Sequence, residues 1–306
     1  MGKNQKNKYK LILFFLFILS FKIPNIFNSS KKLEICLCSP VKKENIYLEE
    51  FVEYYKSYNV DKIFLYDNNE IDGEHLEYVI NDYVESGFVK IIDFRGKKHA
   101  LYEMMNDCYK NNYLNYDWLI FYEIDEYIHL RNYSDIKKFL GEDKFKKCQT
   151  VQLNWVLHTD NGNIYYENKP LAIRFPNSKK SYANAAIKSI LRGRNSHFVI
   201  NCVHKLNEKF KTCDGFGRKT HIKGISTDIV DNEYYYIDHY FCKSTEEFIN
   251  KINKGDVLYF QDNFIDRIRV YFEVNKVTNK KIDYIKNHLH TNISFENILH
   301  QKNYKV

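Results

Sequence analysis

Proline and glycine are scarce in this 306-residue chain, at four and eleven. Flexible linkers are built largely from such residues. Their scarcity excludes a string of loosely joined modules and predicts one domain over residues 31–306. The segment SPVKKEN, after the first predicted strand, holds no glycine, which weighs against a nucleotidyltransferase with a glycine-rich phosphate loop. Seven cysteines stand at 36, 38, 108, 148, 202, 213 and 242. Only Cys36 and Cys38 are close together, and no second pair completes a zinc site. One or two disulfides fit an oxidising compartment, with Cys202 and Cys213 the first pair expected. Zinc-finger, homeodomain and RNA-binding signatures are all missing, and the lysines are scattered. The net charge of +7 therefore points away from nucleic acid and suits an anionic substrate or a membrane surface. Disordered chains are poor in aromatics. Here aromatics make up 16% of residues, so a packed core is expected.

No uninterrupted apolar run reaches the ~20 residues of a typical spanning helix. The nearest is LILFFLFILSF, at residues 11–21, preceded by Lys3, Lys6, Lys8 and Lys10. Residues 1–10 read as a basic tail and 11–27 as a signal peptide or signal anchor. The lack of a small-x-small cleavage site favours the anchor, with a cytoplasmic N-terminus. A single-pass membrane protein facing the Golgi or ER lumen is the expectation for a eukaryotic host. Sequons at Asn28, Asn132 and Asn292 are compatible with that.

From residue 33 the pattern alternates. Strands are predicted at 33–38, 60–66 and 88–93. Between them, apolar residues recur at helical spacing: Leu48, Phe51, Val52 and Tyr55, then Leu76, Val79, Ile80 and Tyr83. Leu101, Met104, Met105 and Cys108 mark a third helix leading to a strand at Trp118. Alternation of this kind predicts a mostly parallel α/β sheet. After residue 150 the periodicity weakens. Strands are predicted at 151–156, 171–175 and 187–192, and a helix over 244–252 with Ser244 and Glu247 as a capping box.

The chain turns on YDWLIFYEIDEYIHL, residues 116–130. A dry aromatic run stops at Glu123, Asp125 and Glu126, and such acids at a strand's C-terminal end lie where open α/β sheets bind ligands. In an extended chain Glu123 and Asp125 point the same way, so the two could share one hard cation, Mg²⁺ or Mn²⁺.

Three segments resemble glycosyltransferase family 92 and related enzymes of the GT-A nucleotide-diphospho-sugar transferase fold. They are KKENIYLEEFVEYYKSYNVDKIFLYDNN (42–69), DWLIFYEIDEYI (117–128) and DHYFCKSTEEFINKINKG (238–255). Two departures stand out: Glu123 where the family has Asp, and Lys43 where it has Asn. The resemblance implies a nucleotide-sugar half over 31–150 and an acceptor half with C-terminal helices over 151–306. It implies inverting transfer of a sugar, often galactose, from a UDP-sugar to a glycan with a divalent metal. Glu123, Asp125 and His239 would hold that metal. Pro40, Lys42, Glu44, Asp67 and Lys188 would meet the nucleotide-sugar, with His204 a further phosphate contact. Trp155 and His158 would line the acceptor site. The base that deprotonates the acceptor would be Asp160, or else Glu126, which otherwise supports the metal loop. Two rivals remain on the sequence alone, a nucleotidyltransferase and an inactive sugar-binding relative.

Overall fold

In the computed structural model, the described residues are 32–194, 200, 210–223, 225–227, 229–254 and 262–290. The expected anchor at 11–27, the sequons at Asn28 and Asn292, His204 and Cys202 lie outside them. No described helix is long and apolar enough to cross a membrane.

Strand β1 (Ile35–Val41) is buried along its whole length. It pairs in parallel with β2 (Lys62–Asp67) on one side and β4 (Trp118–Phe121) on the other, and β2 pairs in parallel with β3 (Val89–Asp93). Alternation along each strand sends side chains to two separate cores. Ile35, Leu37, Ile63, Leu65, Trp118 and Ile120 enter one, which also takes Leu48, Phe51, Val52 and Tyr55 of helix α1 (Asn45–Ser57) and Ile80 of α2 (Glu77–Glu85). Cys36, Cys38, Phe64, Tyr66, Leu119 and Phe121 enter the other, against Leu101, Met104, Met105 and Cys108 of α3 (Leu101–Asn112). Helices therefore cover both faces, as parallel strands require. A disulfide from Cys38 to Cys108 fastens α3 to β1.

The second half widens the sheet with mixed pairing. Strand order is β3-β2-β1-β4-β7-β6-β11-β5. β5 is Glu126–Leu130, β6 Thr150–Leu157, β7 Ile187–Arg192 and β11 Tyr235–His239. β7 runs antiparallel to β4 and β6, β11 parallel to β6 and antiparallel to β5. The short β8 (Thr212–Asp214) lies beside β6, and β9 (Ile222–Lys223) pairs with β10 (Ser226–Thr227). The α/β class is as expected, and the expected parallel pairing holds through the first half, whereas the second half mixes parallel and antiparallel pairs.

Two sequence expectations fail. Residues 171–175 form no strand. Leu171–Arg174 is a short helix, here α5, preceded by Pro170 and with its Leu171 amide bonded to the Glu50 carboxylate. The alternation of Leu171, Ile173 and Phe175 misled, since Ile173 is 67% exposed. Cys213 is bonded to Cys148 rather than Cys202. The pairing of β8 with β6 sets Cys213 opposite Val151, which brings it beside the entry to β6.

α4 (Ile136–Leu140) packs Ile136, Phe139 and Leu140 into the first core. Near the C-terminus, α6 (Thr245–Asn253), α7 (Asp262–Val274) and α8 (Asn279–His288) form a third core through Phe248, Ile249, Ile252, Ile268, Tyr271, Phe272, Ile282 and Ile285. The capping box at Ser244 and Glu247 is present as the sequence predicts.

Candidate active site

The acids after β4 do not lie on an extended strand. Tyr122 and Ile124 turn fully inward, and the chain folds back between Glu123 and Glu126. The Glu126 amide donates to the Glu123 carbonyl at 3.0 Å. The Glu123 amide donates to Glu126 Oε2 at 2.9 Å. The two-residue period therefore does not apply, and Glu123 and Asp125 face different partners.

Glu123 meets Lys188, whose Nζ lies 2.5 Å from its Oε1 and 3.3 Å from Glu126 Oε2. Lys188 is wholly buried in β7, and its ammonium is shared by these two acids. Burial works against ionised Glu123, but Lys188 holds its carboxyl below the usual range. For Glu126, burial dominates over Lys188 and Glu123 adds to it, so its carboxyl is pushed up to about 8. Glu126 Oε1 has no hydrogen-bond partner.

Asp125 meets β11 and α6. Tyr240 N donates to its backbone carbonyl at 2.9 Å. Its Oδ1 lies 3.6 Å from His239 Nε2, and its Oδ2 lies 2.5 Å from Lys251 Nζ and 3.3 Å from Lys243 Nζ. Burial would raise its pKa, yet the two lysines hold it well below the carboxylate range. His239 closes β11 opposite Glu126, with the Trp155 ring 4.4 Å away. It is 4% exposed, burial lowers its pKa, and neither ring nitrogen has a hydrogen-bond partner. Such a buried, unsatisfied imidazole calls for an explanation.

A divalent cation bound there would supply one. Asp125 offers oxygen and His239 nitrogen, donors that Mn²⁺ accepts. Two protein ligands suffice where diphosphate oxygens and water complete the shell. Glu123 is turned to Lys188, and no group of three His, Cys, Asp or Glu gathers as a metal site among the described residues.

The remaining expected residues divide. Trp155 is brought to the site through its contact with His239. Pro40 lies inside β1, not after it, where the ladder to β4 has already ended at Cys38 and a missing N–H is tolerated. Lys42 pairs with Glu70, and Glu44 with Lys254. Asp67 ends β2 but is fully engaged. Arg95 grips its Oδ2, and Asn69 binds its Oδ1 through both backbone and side-chain amides. His158 has both ring nitrogens in use, with the Phe175 carbonyl at 2.7 Å and Asp238 at 2.6 Å. Asp160 lies in a buried network, 2.5 Å from Lys281 Nζ and 2.8 Å from the Tyr271 hydroxyl. Each of these last three braces a loop or a helix junction. Lys243 and Lys251, on Asp125, are residues to which sequence reasoning assigned no role, although both stand in the segment 238–255.

The sheet is mixed, with helices on both faces of its parallel part, and an acid–histidine–lysine cluster stands where β4 and β11 end. The chain belongs to glycosyltransferase family 92, whose sequence profile matches residues 31–268. A family 92 protein of Oryza sativa subsp. japonica is 27% identical over 131 residues, covering 37% of this chain and 20% of the relative. The chain thus matches about a fifth of that relative's length. Among solved structures, S. aureus TarS 1-349 in complex with UDP gives a TM-score of 0.39 at 11% identity, over 88% of this chain and 78% of that one. A mannosyltransferase from Pyrobaculum calidifontis, in complex with GDP-Man and Mn²⁺, gives 0.29 at 12% identity, over 40% of this chain and 35% of that one.

Proposed function

We propose that this family member is a glycosyltransferase that moves a sugar from a nucleoside-diphosphate sugar, a UDP-sugar, to a glycan hydroxyl, with a divalent cation held by Asp125 and His239. The observation that carries this reading is the convergence of the Asp125 carboxylate with a buried, unpartnered imidazole at one end of the sheet. The cation supplies Lewis-acid neutralisation of the departing diphosphate. The chain's own residues do the rest. Glu126 ties the Glu123 amide and so holds the acid turn in shape. Lys188 neutralises the turn from within. Trp155 packs against His239 and fixes the ring that would bind the ion. Inversion and a galactosyl donor are what the family likeness implies.

Membrane attachment through residues 11–27, with the catalytic domain in an oxidising lumen, completes the proposal. Two disulfides support it, as does the exposed sequon at Asn132. Protease protection of the full chain in microsomes tests the orientation.

For the chemistry, the full-length protein is incubated with UDP-galactose, UDP-glucose, UDP-GlcNAc and GDP-mannose, with Mn²⁺ or with EDTA. Expected are nucleotide release from one donor with Mn²⁺ and its loss in Asp125→Asn. His239→Leu should keep the fold, because no hydrogen bond is broken, yet lose at least ~10-fold in Mn²⁺ affinity, as removal of even an outer partner of a metal costs that much. Absence of release from every donor would overturn the reading.

A further inference from the structure

Two ammonium groups, that of buried Lys243 and that of partly buried Lys251, converge on a single carboxylate oxygen, Asp125 Oδ2, at 2.5 Å from Lys251 and 3.3 Å from Lys243. One lysine would neutralise that carboxylate. A third cation follows on the same segment, Lys254, 2.9 Å from Glu44 Oε1 and bonded to the Lys42 carbonyl at the end of β1. Three lysines thus meet two acids, Asp125 and Glu44, at the edge where β1 and β4 end. Glu123 lies nearby but is matched to Lys188.

Lys243 is held there at some conformational expense. Its φ is +47°, in the left-handed region that residues with side chains seldom adopt, and strain of this kind gathers at functional sites. The residues around it enforce the pose. Ser244 begins α6 with the capping box to Glu247. Glu247 is gripped bidentately by Arg174 at 2.7 and 3.0 Å and accepts from the Tyr47 hydroxyl at 2.6 Å. The Tyr47 ring then lies 4.5 Å from Lys243 Nζ, a cation–π seat for the ammonium. Lys251 projects from α6 with the Phe241 ring 4.9 Å from its Nζ. Burial opposes its charge, but Asp125, Glu123 and Glu44 keep it protonated.

We propose that Lys243 and Lys251 are diphosphate-binding residues that occupy Asp125 in the ligand-free chain and pass to the diphosphate when Asp125 takes a divalent cation. This rests on the proposed transferase reading. The reason is electrostatic. A divalent cation placed on Asp125 and His239 beside two ammonium groups is repelled by them. A diphosphate, which carries several negative charges, accepts both lysines through charge-assisted hydrogen bonds and leaves the carboxylate to the metal. Metal and diphosphate therefore bind with strong positive coupling, and neither binds well alone.

The test uses the full-length protein, Mn²⁺ followed by electron spin resonance, and inorganic pyrophosphate and UDP followed by calorimetry. In the wild type, pyrophosphate should raise Mn²⁺ affinity by ~10-fold or more, within the range of coupled sites. Lys251→Met should bind Mn²⁺ more tightly than the wild type when pyrophosphate is absent, and should bind pyrophosphate more weakly in EDTA. Lys251→Arg should restore pyrophosphate binding. Lys243→Met should act in the same direction. A merely structural role would weaken both ligands together and is read separately by circular dichroism. The proposal is overturned if both lysine variants keep wild-type constants within twofold while the wild type binds UDP with Mn²⁺, or if they weaken Mn²⁺ and pyrophosphate alike. If the wild type binds no nucleotide under any condition, the transferase reading falls and this proposal with it.

Discussion

Lys188 and Glu123 face each other across two strands of the sheet, Nζ to Oε1 at 2.5 Å, and the same ammonium reaches Glu126 at 3.3 Å. One wholly buried cation therefore balances two acids of the turn that also carries Asp125. Lys188→Met would leave both acids without their cation. Removing one partner of a buried pair costs about 3–5 kcal/mol. The loss should be smaller at pH 5 than at pH 8, because Glu126 can take up a proton and become neutral. Urea denaturation at the two pH values measures it. An equal loss at both would show that Glu126 is not the group that compensates.

Glu126 gives a second test with a defined sign. Burial raises its carboxyl to about 8, above the ordinary value of about 4.3. Over that interval the native state keeps a proton that the unfolded chain has released. The associated stability is full below pH 4, falls as pH rises, and is gone once pH passes the native value. Glu126→Gln removes the group, so the variant should gain stability relative to the wild type between pH 5 and pH 9. A flat difference in melting temperature across that range would contradict it.

Asp160 separates a structural acid from a catalytic one. Its Oδ2 lies 2.5 Å from Lys281 and 2.8 Å from the Tyr271 hydroxyl, and its amide donates to Asn275 Oδ1. Asp160→Ala should destabilise by about 3–5 kcal/mol, because Lys281 is left buried and unpaired. Partnered removal, Asp160→Leu with Lys281→Met, should recover a good part of this. If the double variant folds but has lost all turnover, Asp160 is the base after all.

The disulfides make a chemical prediction. Peptide mapping without reduction should find Cys38 linked to Cys108 and Cys148 linked to Cys213. Replacing the second pair by serine opens a closed span of 65 residues and should cost about 2–4 kcal/mol. A peptide joining Cys202 to Cys213 would refute the pairing.

The first half of the fold was legible because its signals are local. Each strand from β1 to β4 is a short apolar run, each helix a 3.6-residue pattern, and alternation of the two leaves few topologies. The capping box at Ser244 was equally local. In the second half, Leu171, Ile173 and Phe175 alternate like a strand, but the amide of Leu171 is taken by Glu50, over a hundred residues away in the chain. No window of sequence contains that contact. The Cys148–Cys213 bond follows likewise from the pairing of β6 with β8.

The acid stretch at 116–130 shows the same division. Its composition alone determined that a dry strand would end in carboxylates, because a strand buried on both faces must be apolar and its end need not be. Which partner each acid meets was decided by tertiary structure. The chain folds back at Glu123, so side chains two apart part company: Glu123 goes to Lys188 on β7, and Asp125 to His239 on β11 and to Lys243 and Lys251 before and along α6. Charges separated by 65 to 126 residues have no periodicity to reveal them. Only the closing of the sheet, which sets β7 beside β4 and β11 beside β5, brings them within reach of one another.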